Sequence, residues 1–156
     1  MPRILITEDQ EDQRDLYHDV LSDAGYEVWD AWNATEAMEL FQRYHPDIVV
    51  LDIQMPGMDG IEALGKIVAK DRRIPVIFYS AYPNYKSNFL TWAADTFVVK
   101  TGNPLELVFA VRAVSEEHGI EVPAQCKELL KNYEPPLEKP VAPKTDTSGM
   151  PWGNPE

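Results

Sequence analysis

Glu8-Asp9, Asp52, Ser80 and Lys100 are the residues of this chain whose surroundings single them out for chemistry. Each follows directly on a short apolar run: Ile4-Leu5-Ile6-Thr7, Ile48-Val49-Val50-Leu51, Val76-Ile77-Phe78-Tyr79 and Phe97-Val98-Val99. Runs of that length with so few polar interruptions fit parallel strands covered on both faces. Their last side chains then stand at the carboxyl edge of the sheet, where open α/β folds place their chemistry. In a sheet of strand order 2-1-3-4-5 the first and third strands are neighbours, which brings Glu8, Asp9 and Asp52 into one cleft. Three carboxylates in one cleft repel unless a cation joins them, and hard oxygen ligands together with water select Mg2+. Lys100 then sits on the other side of Asp52 as a fixed positive charge, with Ser80 as a hydroxyl donor. Asp52 taken by itself reads as a strand-ending Asp in a turn or a cap; the set of four strand ends reverses that reading.

The elements that must position these residues follow in alternation. Arg3 to Thr7 is a strand. Glu11 to Ala24 is a helix, with Leu16, Val20, Leu21 and Ala24 spaced for one face and Gly25 closing it. Tyr26 to Asp30 is the second strand. Asn33-Ala34-Thr35-Glu36 starts a second helix as a variant capping box, and Pro46 stops it after Tyr44. The third strand ends at Asp52, and a loop punctuated by Pro56, Gly57 and Gly60 leads to a helix from Gly60 to Lys70. Ile74 to Tyr79 is the fourth strand and Asp95 to Val99 the fifth. A weak helix is predicted between them from Asn84 to Ala93. Asn103-Pro104-Leu105-Glu106 gives an N-cap, a proline at the first helical position and a glutamate at the third, opening a helix to about His118. The alternation predicts an α/β fold, a doubly wound five-stranded parallel sheet with helices on both faces, flavodoxin-like.

Composition bounds the rest. The 156 residues carry 26 acidic and 14 basic side chains, a formal net charge of -12. That argues against a nucleic-acid footprint, which needs a basic face. Cys126 is the only cysteine, so no internal disulfide forms and a reducing compartment fits. Met1-Pro2-Arg3 opens no apolar leader, and no apolar run is long enough to span a bilayer, so a cytoplasmic location is expected. Residues 1–119 form the predicted domain and 120–133 can add one short helix. Six of the 13 prolines fall between Glu134 and Glu156, a composition read as a tail.

The acidic pair, the segment Leu51-Asp52-Ile53-Gln54-Met55-Pro56-Gly57-Met58-Asp59-Gly60, Ser80-Ala81 and Lys100, in that order, resemble the receiver domain of two-component response regulators. The likeness covers residues 3 to about 118, and the single-domain type, without a DNA-binding or catalytic output domain, is expected. It implies that Asp52 takes a phosphoryl group from a sensor histidine kinase, a phosphotransfer protein or a small phosphodonor. It implies that Glu8, Asp9, Asp52 and the backbone carbonyl of Gln54 hold Mg2+. Ser80 and Lys100 would bind the phosphoryl oxygens, and the aromatic Phe97 would change rotamer as Ser80 moves. The implied protein is not an enzyme with a separate substrate. It signals to a downstream protein target or to a second copy of itself. Two departures stand out: Glu8 occupies a position usually held by Asp, and Thr101 follows Lys100 where the family usually has Pro, so the usual cis peptide is not expected.

Two other readings are open. One is a degenerate receiver used only as a binding module, against which the intact set Asp9, Asp52, Ser80 and Lys100 argues. The other is a haloacid dehalogenase-like phosphatase, which needs a second Asp two positions after the first, where this chain has Gln54. His18, His45 and His118 lack a metal-ligand spacing and read as surface or cap residues. Tyr85, Phe89 and Trp92 read as core. Leu105, Leu107, Val108, Phe109, Val111 and Val114 exceed a single apolar stripe. That surplus needs a partner, a second copy, or the segment from Val122 to Tyr133 to cover it.

Overall fold

A computed structural model describes residues 1–52, 60–81 and 94–135. Five strands, β1 (Arg3–Thr7), β2 (Glu27–Ala31), β3 (Ile48–Leu51), β4 (Val76–Ser80) and β5 (Thr96–Val99), form one sheet in the order β2-β1-β3-β4-β5. Every pairing is parallel. This is the sheet that the sequence predicts, with β1 beside β3 at the point where the strand order reverses. The helices described are α1 (Glu11–Asp23), α2 (Ala34–Tyr44), α3 (Gly60–Lys70), α4 (Leu105–Glu117) and α5 (Ala124–Leu130). The helix predicted from Asn84 to Ala93 lies outside the described residues, as does the predicted tail beyond Pro135. Among the described residues, no helix is long and apolar enough to cross a membrane.

Strand residues alternate between two cores because successive side chains point to opposite faces. Ile4, Ile6, Ile48, Val50, Ile77, Tyr79 and Val98 pack on the face of α1, α4 and α5. Leu5, Val49, Leu51, Val76, Phe78 and Phe97 pack on the face of α2 and α3. β3 is wholly buried, as its uninterrupted apolar run requires.

Local signals are met with three corrections. In α1 the buried face is Tyr17, Leu21 and Ala24, while Leu16 is 46% exposed. The spacing of four and three from Tyr17 selects that face, and an aromatic displaces the leucine expected there. The second strand runs one residue later than expected. At the start of α2, Asn33 Oδ1 accepts from the Glu36 N–H at 2.8 Å, but Glu36 Oε1 accepts from Trp32 N–H at 2.9 Å, one residue before the cap.

The apolar surplus of α4 is covered by the chain itself. Cys126 and Leu130 of α5 are buried in the α1–α4 core, with Val122, Leu129 and Tyr133 packed against it. The Tyr133 ring comes back to Phe109, with centroids 5.6 Å apart. At the other end of α5, a Cβ on Gly25 (φ +95°) would meet the Pro123 Cβ at 2.6 Å, so glycine is needed there for conformation and for close approach. Two of the three histidines expected as surface or cap residues are pinned by carboxylates: His18 Nδ1 lies 2.7 Å from Asp30, and His118 Nε2 lies 2.6 Å from Asp95.

Candidate functional site

The carboxyl ends of β1, β3, β4 and β5 meet at one edge of the sheet. The Asp52 N–H donates to the Thr7 carbonyl at 3.3 Å and the Lys100 N–H to the Ser80 carbonyl at 2.8 Å, so parallel pairing continues into the residues that follow the strands. Carboxylate oxygens of Glu8, Asp9 and Asp52 lie within 4.8 Å of one another. Glu8 and Asp52 are buried and Asp9 is exposed. Lys100 Nζ donates to Glu8 Oε1 at 2.8 Å and lies 3.6 Å from Asp52 Oδ2. Ser80 is fully buried at the end of β4. The expected set Glu8, Asp9, Asp52 and Lys100 is therefore assembled at one edge, with Ser80 on the neighbouring strand. Phe97 is buried lower on β5, tilted against Phe78 with centroids 6.2 Å apart. Gln54 lies outside the described residues.

Burial pushes the Glu8 carboxyl above the usual range; the Lys100 hydrogen bond opposes this, and the charge of Asp52 adds to it. For Lys100, burial works against the charge, but the Glu8 hydrogen bond and the Asp52 and Glu8 charges outweigh it, and its ammonium is held more tightly than usual. Three carboxylates face one lysine, so the cleft carries more negative charge than Lys100 neutralises. Hard oxygen donors in that excess fit a divalent cation, and Glu8, Asp9 and Asp52 are the residues that would hold it.

The sequence did not reveal what surrounds Lys100. Gln13 Oε1 accepts from Lys100 Nζ at 2.9 Å and from the Tyr17 hydroxyl at 2.9 Å. The rings of Tyr17 and Tyr79 flank the ammonium, with centroids 5.3 and 5.4 Å from Nζ. The one legible signal was the spacing of four between Gln13 and Tyr17, which puts both on the helix face toward the sheet. Glu106 is a further correction. Its position predicts a capping glutamate, yet it is buried, and both its oxygens turn away from the helix start. Oε2 accepts from the Tyr79 hydroxyl at 2.6 Å and from Thr101 N–H at 2.9 Å; Oε1 accepts from Thr101 Oγ1 at 2.6 Å. Asn103 Oδ1 takes the capping bond from Leu105 N–H at 3.0 Å. Among the described residues there is no cis peptide bond, and Lys100–Thr101 is trans as expected.

The match to the response regulator receiver domain model spans residues 4–112. Chemotaxis protein CheY of Thermotoga maritima is 36% identical over 117 residues, which are 73% of this chain and 98% of that protein. A crystal structure of response regulator protein TrrA from Thermotoga maritima, in complex with Mg(2+)-BeF, is 39% identical, covers 73% of this chain and 99% of that one, and superposes with a TM-score of 0.71. TrrA in complex with histidine kinase ThkA matches at 39% identity, 73% and 98% coverage and a TM-score of 0.69. Other relatives are longer: the likeness to the probable transcriptional regulator ycf27 of Porphyridium aerugineum, 33% identical over 72% of this chain, spans 47% of that protein. With the family's fold, the strand-end carboxylates and the lysine in one cleft, the chain belongs to the response regulator receiver domain family.

Proposed function

We propose that this chain is a phosphoacceptor switch in which Asp52 is the nucleophile. The observation that carries it is the position of Asp52: a buried strand-end carboxylate beside Glu8 and Asp9, with the Lys100 ammonium 3.6 Å away. A carboxylate is a weak nucleophile, and its attack on an anionic phosphoryl group needs neutralised charge more than a base. An Asp52 oxygen forms the new O–P bond as the bond to the donor's nitrogen or oxygen breaks, and the donor keeps the electron pair. Lys100 draws a phosphoryl oxygen toward the cleft, and Ser80 supplies a hydroxyl to another. Glu8, Asp9 and Asp52, with the Gln54 carbonyl that the family resemblance implies, would hold Mg2+, which would supply further charge neutralisation and alignment of the phosphoryl group.

The donor is a histidine kinase, a phosphotransfer protein or a small phosphodonor, and the kinase is supported by the kinase-bound structure of TrrA. The chain acts only on itself, turning over no separate substrate. The added charge on Asp52 pulls Ser80 and Lys100 inward, Phe97 follows, and the population of a surface around β5 shifts to favour a downstream protein or a second copy. α5 covers the outer face of α4, so that face is not open to such a partner unless α5 leaves. Incubation with acetyl phosphate or beryllofluoride is expected to alter the protein only with Mg2+ present, and Asp52→Asn to abolish the effect. Equal labelling of the variant, or indifference to Mg2+, overturns the assignment.

A further inference from the structure

We infer that Glu106 is a positioning residue for Lys100, acting through Tyr79 and Thr101; this rests on the reading that Lys100 binds the phosphoryl group. Lys100 is half-buried and its ammonium must point at Asp52 while five long bonds separate it from its own backbone. Its Nζ contacts include the Tyr79 ring, and its amide is fixed by Ser80 O at 2.8 Å. The next residue, Thr101, is gripped twice by Glu106, through N–H at 2.9 Å and Oγ1 at 2.6 Å. The same carboxyl group holds the Tyr79 hydroxyl at 2.6 Å, setting the ring that flanks Nζ. Glu106 thus fixes both the backbone just after Lys100 and one wall of the ammonium's cage. It does so from α4, an element that contributes no group to the phosphoryl cleft among the described residues.

Glu106 is only 6% exposed, and all three of its partners are donors, so both carboxylate oxygens are used as acceptors. A glutamate buried merely to close α4's first turn would bond that turn's own amides, a task Asn103 performs instead. The amide of Thr101 is one that only a residue with an N–H can offer, and Gly102 at φ +104° then turns the chain toward α4. The arrangement is a clamp between two strand ends, β4 through Tyr79 and β5 through Thr101.

The test measures Mg2+-dependent phosphorylation of Asp52 by acetyl phosphate in the full chain and in Glu106→Gln, Thr101→Val, Tyr79→Phe, Lys100→Ala and the double variant Glu106→Gln/Lys100→Ala. Mg2+ affinity is measured alongside. Glu106→Gln turns one acceptor into a donor facing donors, and is expected to slow phosphorylation about tenfold, with Thr101→Val slowing it about threefold, at unchanged Mg2+ affinity. In the Lys100→Ala background, Glu106→Gln is expected to add no further loss, because its effect passes through the lysine. An equal loss in both backgrounds means a merely structural role and overturns the proposal. If Glu106→Gln does not fold, Thr101→Val and Tyr79→Phe, each of nearly unchanged shape, decide it: wild-type rates in both overturn the clamp. A Lys100→Ala protein that phosphorylates normally removes the phosphoryl-binding reading of Lys100 itself. A slow Lys100→Ala with wild-type clamp variants removes only the proposal.

Discussion

Lys100 meets five side chains: Glu8, Asp52, Gln13, Tyr17 and Tyr79. Its place after the fifth strand and its pairing with Asp52 were readable in the sequence, because strand ends on a parallel sheet converge at one edge. Gln13 and Tyr17 were not, because on an acidic, exposed-looking helix start their spacing of four puts them on one face without showing that Lys100 lies against it. Leu16 is the more obvious apolar residue and its spacing predicts the buried face, yet nearly half of it is in water. A lysine cannot ligate a metal, having three donors and no acceptor. Lys100→Ala is therefore expected to leave Mg2+ affinity unchanged or raised, since a competing positive charge has gone, while phosphorylation slows at least tenfold. Titration calorimetry beside a phosphorylation time course checks it, and a large loss of Mg2+ affinity contradicts it.

At the scale of elements, α4 and α5 behave as one unit. The surplus of apolar residues on α4 is legible, and so is a short helix after Pro123, but their mutual contact is only one of the three covers that the sequence allows. Periodicity says that a face needs cover and is silent on what covers it. Glu106 departs from its sequence expectation for a related reason: a glutamate three residues past an Asn normally serves its own helix, and tertiary contacts with Tyr79 and Thr101 claim it here. Leu130 is 4% exposed in the seam. Leu130→Ala is expected to cost about 2–4 kcal/mol of stability, read as a lowered urea midpoint, with the phosphorylation rate of the folded protein unchanged. Gly25→Ala is expected to destabilise by more than about 1 kcal/mol, because its φ is positive and its Cβ would strike Pro123. A Leu130→Ala protein as stable as the parent refutes the packing of α5.

Over the whole molecule, the fold class and strand order were readable because five strand-like runs, four of them largely buried, alternate with helical segments, leaving few topologies. The electrostatic balance was not, since it depends on burial. Tyr17, Tyr26 and Tyr79 are pushed above their ordinary value of 10.0, and Cys126 above 9.0, each chiefly by burial. These groups stay neutral in the folded protein at a pH where the unfolded chain ionises. The folded form then binds more protons, so stability falls as pH rises past those unfolded values. Lys100 acts in the same direction: its folded value lies above 10.5, so its contribution is complete below that pH and is lost above it. Urea midpoints are therefore expected to decline from pH 8 to pH 11, less steeply in Tyr79→Phe. A flat profile contradicts the burial of these groups.

The return of α5 along α4 also decides where the two ends of the described chain stand. The Met1 amine lies 4.0 Å from Glu121, at the rim of the sheet away from the phosphoryl site. Tyr133, by contrast, packs its ring at a tilt against Phe109, one turn from Glu106. A probe joined at Pro135 by a flexible linker of about ten residues reaches about 17 Å, enough to sample the surface around that edge at a millimolar effective concentration. The same probe at Met1 starts from the far side. Attachment site thus becomes an experimental variable: a probe inserted just after Pro135 competes with incoming partners as a tethered neighbour, and one at Met1 leaves the mouth of the cleft unobstructed.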